Sequence, residues 1–257
     1  MRSGRSNANL GKLIMKQRFF SPLCVLVLLL TFSLASAGYG AEEKKASGKS
    51  SGAAPGRLVG QATDEMKALH AQAWRYRAAT YELYYDDSQD LARTVYGVAL
   101  HAGDIDASLS PERFIKGARG YHYSVGQMCD WINDLMSKKG AEPRFDELVL
   151  LGLLLQDRVV TVRAGRFVPA GTVKHVLGAA PGAKRSFADN LRHERLHIFW
   201  DENADMRRQT EKKWRALSAA EKDKARKALA QYAQGNEEQL IEEWAIYNAE
   251  QSNRDLQ

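Results

Sequence analysis

The residues with the clearest chemical potential are His193-Glu194-Arg195-Leu196-His197. Positions i and i+4 of a helix share one face, so two imidazoles at this spacing can reach a single cation. Zinc accepts neutral imidazole nitrogen, and a set of three protein ligands leaves it a position for water. Glu194 follows the first imidazole and is placed to act on that water as general base. On a strand the two histidines would stand too far apart. The chemistry therefore demands a helix here.

A third ligand must come from another part of the chain. No histidine follows His197, and Trp200 and Asn203 stand where the longer H-E-x-x-H-x-x-G-x-x-H pattern needs Gly and His. A metzincin arrangement is thereby excluded. Asp201 and Glu202 lie too close along the same helix to complete a tetrahedron. Asp223 belongs to the charged stretch Glu221 to Arg226, which reads as a solvated face. In the last helical segment, Glu238, Glu242, Ala245 and Ala249 share one face. Small alanines allow close helix approach, and a carboxylate there would be buried unless it met a cation. Glu242 is the expected third ligand, with Glu238 and Glu243 as rivals.

Positioning these groups falls to a succession of helices. The spacing of Met66, Leu69, Ala73, Tyr76, Ala79 and Leu83 predicts a helix from Thr63 to about Tyr85. Further helices are expected over Asp90 to Ala102, from Ser110-Pro111, over Ser124 to Lys139, and over Phe145 to Gln156. The last of these is apolar nearly all round and reads as buried. The convincing strand signal is Arg158 to Arg163, then Ala164-Gly165, then Arg166 to Val168, a hairpin with a two-residue turn. Ser186 with Asp189 is a variant capping box opening the motif helix, which runs to about Trp200. Helices over Ala204 to Ala216, from Ser218 toward Gly235, and from Asn236 to about Ser252 complete the chain. The fold class expected is mainly α with a small β-hairpin or sheet.

H-E-x-x-H followed by a later helix carrying E-x-x-A resembles the gluzincin metallopeptidases, with Glu242-x-x-Ala245 matching the second motif. The resemblance covers about Val159 to Ala249. It implies a zincin-like core in which the H-E-x-x-H helix meets a C-terminal ligand helix. It further implies Zn2+ held by His193, His197 and Glu242, with Glu194 as catalytic base. Arg195 departs from the usual pattern by its charge, and no N-E-x-x-S-D signature is present. An oxyanion donor would also be needed, for which Tyr247, Tyr232 and His175 are candidates. The hairpin edge Val159 to Arg163 is a candidate for pairing with substrate backbone.

The chain has 257 residues and a formal net charge of +6. Residues 1–37 carry Arg2, Arg5, Lys12, Lys16 and Arg18 without an acidic residue, then an apolar run from Leu23 to Leu34 and Ala35-Ser36-Ala37. This reads as a cleaved secretory signal peptide, predicting a periplasmic or secreted protein with no stable membrane insertion. Without these five basic residues, 32 remain against 31 acidic ones, so no nucleic-acid partner is expected. Residues 38–57 are rich in Gly, Ser, Lys and Ala and read as a flexible linker. A helical region 58–150 and a metal-binding region 151–257 follow, as one continuous domain. Cys24 lies in the apolar run, leaving Cys129 as the one thiol, expected to be structural. His70, His101 and His122 show no partner spacing and are expected to be surface or core residues.

These features predict an exported zinc metallopeptidase acting on a peptide or protein substrate. Two alternatives are a non-catalytic envelope protein keeping a zincin-like core and a zinc amidase acting on cell-wall material.

Overall fold

The computed structural model describes residues 57–138, 142–230 and 236–254. The expected signal peptide and linker lie outside these residues, apart from Arg57 at the start of the first strand, as does Tyr232. In chain order, the described strands are β1 (Arg57–Val59), β2 (Thr80–Tyr85), β3 (Gly120–Ser124), β4 (Val160–Arg163), β5 (Arg166–Pro169) and β6 (His175–Ala179). The described helices are α1 (Asp64–Ala71), α2 (Ser88–Ala102), α3 (Pro111–Gly117), α4 (Val125–Ser137), α5 (Phe145–Gln156), α6 (Phe187–Glu202), α7 (Ala204–Ala216), α8 (Ala219–Ala228) and α9 (Glu237–Arg254). The protein is mainly helical, with a small sheet.

That sheet is distinct from the expected hairpin. Its order is β1-β2-β6-β3, with β1, β2 and β6 parallel and β3 antiparallel to β6 at the edge. β4 and β5 form a separate two-stranded ladder around Ala164 and Gly165, both at positive φ. The helix expected from Thr63 to Tyr85 is a correction. Thr63 caps α1 through a 3.1 Å bond from the Met66 amide, but the helix ends at Ala71 and Thr80–Tyr85 is a strand. All six strand residues are buried, so no period-two alternation marks it. Its tyrosines and threonine favour a pleated, covered surface over a helix.

Helix α6 lies against β3 and β6. Its Phe187, Leu191 and Ile198 form a core with Met66, Tyr84, Leu177 and Ala179. Ser186 caps it reciprocally: its Oγ accepts from the Asp189 amide at 3.1 Å, while Asp189 Oδ2 accepts from the Ser186 amide at 3.4 Å. A second cluster around Trp214, Leu229 and Leu240 joins α7, α8 and α9. α9 is also packed against α6. α5 forms where expected and buries Leu150, Leu151 and Leu154, but Phe145 is 79% exposed, so the helix is open on one side. Tyr81, Tyr84 and Tyr85 are core residues. Cys129 is buried, and that burial pushes its thiol up to about 11. No helix among the described residues is long and apolar enough to cross a membrane.

Candidate metal centre

Helix α6 uses opposite faces for different ends. Arg195 lies two residues, or about 200°, beyond His193. It turns to the sheet, where its Nε and Nη2 donate to Glu82 Oε1 and Oε2 at 2.7 and 2.8 Å. Glu82 is the acidic residue of the buried strand β2, and Tyr84 donates to it as well. Arg195, unusual beside this motif, thus neutralises a carboxylate inside the core.

The other face carries His193, Glu194 and His197, with His193 and Glu194 buried. Both imidazoles meet α9. His197 Nδ1 lies 2.6 Å from Glu242 Oε1. A carboxylate only accepts, so this nitrogen carries the hydrogen, and in neutral His197 the Nε2 lone pair faces outward. Nε2 then points to Glu243 Oε1 at 3.6 Å. His193 repeats the plan: its Nε2 is 3.6 Å from Glu243 Oε2 and its Nδ1 is 3.3 Å from Glu250 Oε1. The second contact falls short of a well-aligned hydrogen bond. Arg185 holds Glu250 from behind at 2.5 Å.

Glu243 is therefore the inner carboxylate, between two Nε2 atoms, while Glu242 and Glu250 are outer ones. Of the two rivals to Glu242, Glu243 is brought into the group and Glu238 is exposed. The buried residues of α9 are Leu240, Glu243, Ala245, Ile246 and Glu250, so the buried stripe overlaps the face read off the alanines at Ala245 but is centred about one residue round from it.

The electrostatics are those of an acid-rich pocket. Burial pushes the Glu243 carboxyl up, opposed by the two histidines and reinforced by Glu194 and Glu242. Burial alone would lower His197, but its bond to Glu242 and the charges of Glu194, Glu243 and Glu242 raise it to about 9. Glu243 Oε2 is buried with no hydrogen bond. Such an atom is costly unless a cation meets it. The fit to zinc is good in donor type, since two imidazoles and a carboxylate are among its common ligand sets.

Glu194 approaches the sheet edge. A Cβ added to Gly120 on β3 would lie 2.2 Å from Glu194 Oε1, so only glycine leaves the carboxylate its place. A cleft of about 1310 Å³ runs past these groups and is lined by Gly120, His122, Glu194, Glu243 and Tyr247, among others. Tyr247 lies beside His193, with ring centroids 5.2 Å apart. The hairpin β4–β5 is not among the lining elements; β3 is the strand at the cleft.

Asp201, excluded above as a ligand for this group, stands one turn beyond His197 and faces His122 and His175. His122 was expected to play a surface or core role. Spacing along the chain could not bring it to His175, because the pairing of β3 with β6 does so. The aromatic run Tyr121-His122-Tyr123 was the available signal for a strand.

No protein-family model, curated protein or solved structure matches this chain, so the functional reading rests on these side chains.

Proposed function

We propose that this protein is an exported zinc-dependent hydrolase of peptide bonds, with a zincin-like core in which His193, His197 and Glu243 hold the metal. The observation that carries this reading is the convergence of two imidazole Nε2 atoms on one buried, under-bonded carboxylate. In this assignment Glu242, suggested by the resemblance as ligand, instead fixes the tautomer of His197, and Glu250 lies 3.3 Å from His193 Nδ1. Outer carboxylates of this kind raise ligand basicity and fix ring orientation. Bound zinc would supply Lewis acidity at the scissile carbonyl. Glu194, held against Gly120, accepts a proton from the attacking water and returns it to the leaving amine.

A peptide substrate is supported by the free side of the sheet. Ala180 N donates to Arg119 O and Val125 N to Lys174 O, which makes the odd-numbered residues of β3 the ones bonded to β6. The backbone groups of Gly120 and His122 then point away from β6, toward the cleft they line. An extended peptide can pair there, beside Glu194. The cleft also exceeds the roughly 300–1,000 Å³ usual for small-molecule pockets. Export is supported by the arrangement of charge and apolar residues in 1–37.

The test compares the zinc-loaded protein with Glu194→Gln on a mixture of quenched fluorescent peptides. The wild type should cleave, and the variant should be slower by roughly 10²–10⁴-fold while retaining its zinc. Equal turnover by both proteins would remove Glu194 from the chemistry.

A further inference from the structure

We propose that His122, His175 and Asp201 form a second site for a divalent transition-metal ion, beside the first and independent of it. His122 comes from β3, His175 from β6 and Asp201 from the C-terminal end of α6, so three elements converge. His122 Nε2 lies 3.1 Å from Asp201 Oδ2 and 3.4 Å from His175 Nδ1, and His175 Nδ1 lies 3.9 Å from Asp201 Oδ2. A tetrahedral ion with bonds of about 2.0–2.2 Å needs donors separated by roughly 3.3–3.6 Å. The observed triangle brackets that size.

Proton counting favours a cation over a simple hydrogen-bond chain. His175 Nε2 lies 2.9 Å from Glu202 Oε1, and since a carboxylate only accepts, this nitrogen carries the hydrogen. In neutral His175, Nδ1 is then an acceptor. His122 Nε2 has at most one hydrogen and faces two acceptors, Asp201 and His175 Nδ1. Whichever it serves, the other is left facing electron density. A metal ion satisfies all three donors together, and Glu202 then supports His175 as an outer carboxylate supports a ligand. His175 is buried and Asp201 partly exposed, so an ion has both a fixed anchor and a way in.

The donor chemistry selects the class of ion. Two imidazoles and one carboxylate suit zinc or a similar divalent transition ion, whereas magnesium and calcium prefer oxygen donors. The site adjoins the first along α6: Asp201 follows His197 by one turn, and the His122 and His197 rings are nearly parallel, with centroids 5.9 Å apart. An ion here would fix the edge strand β3, and with it Gly120, against the motif helix.

The experiment measures zinc bound per chain after gel filtration from excess zinc. The proteins are the wild type, His175→Ala, Asp201→Ala and Glu243→Gln, with circular dichroism as a check of folding. Asp201 is partly exposed, so its variant keeps the test open if His175→Ala does not fold. The wild type should hold two equivalents and each variant one. One equivalent that Asp201→Ala retains and Glu243→Gln loses would overturn the second site and leave the first intact. A second equivalent that survives in Asp201→Ala would place that ion elsewhere and likewise overturn it. One equivalent lost only with Asp201→Ala would sustain this site and overturn the first. No bound zinc in any protein would overturn both.

Discussion

The two faces of α6 bury charge in opposite ways. On the sheet side, Arg195 meets Glu82 through two aligned bonds, and Tyr84 completes the set. On the cleft side, two histidines meet three glutamates, and both His193 Nδ1 and Glu243 Oε2 lack hydrogen bonds. The first assembly is internally balanced and has no use for a ligand. The second sets three carboxylates against two imidazoles and leaves two buried polar atoms without hydrogen bonds. Burial of charge by itself therefore says little about function; what separates the two faces is whether their partners suffice.

Mutation should break that comparison most sharply on the balanced side. Arg195→Ala leaves Glu82 buried and uncompensated, and should cost about 3–5 kcal/mol in chemical denaturation. That loss should be the same with and without zinc. On the cleft side, removing zinc with a chelator should lower the stability of the wild type by about 2.7 kcal/mol relative to zinc at 100 times its dissociation constant. Glu243→Gln should behave in the contrary sense. Without metal it replaces a buried carboxylate whose Oε2 has no hydrogen bond and should lose little stability, yet gain less from zinc. A large destabilisation of metal-free Glu243→Gln would show that the two faces are alike. The smallest expected effect is at the sheet edge. Gly120→Ala displaces the Glu194 carboxylate without touching the histidines, so peptide turnover should fall at least about tenfold, or 1.4 kcal/mol, with zinc content unchanged.

Local signals were legible in the sequence and tertiary ones were not. Ser186 and Ser218 announce α6 and α8 because a cap needs only neighbours three residues apart. The Ala164-Gly165 turn announces the hairpin for the same reason. β2 was hidden because a strand covered on both faces has no alternation, and its leucine and tyrosines also satisfy a helical spacing. The pair of imidazoles could be read from one turn of helix. Choosing among Glu238, Glu242 and Glu243 required the rotation of α9 about its axis, which packing of Leu240 and Ile246 decides. The meeting of His122, His175 and Asp201 depends on strand order, and nothing in the spacing of these residues encodes it.

Glu242, Glu243 and Glu250 all come from the final described helix, whereas the imidazoles stand some fifty residues earlier. During synthesis, the histidines emerge well before Glu242, Glu243 and Glu250 do. A chain cut short ahead of α9 would carry the familiar pentapeptide yet lack all three carboxylates that face its imidazoles. Emergence of α9 is thus the condition on which the proposed site waits.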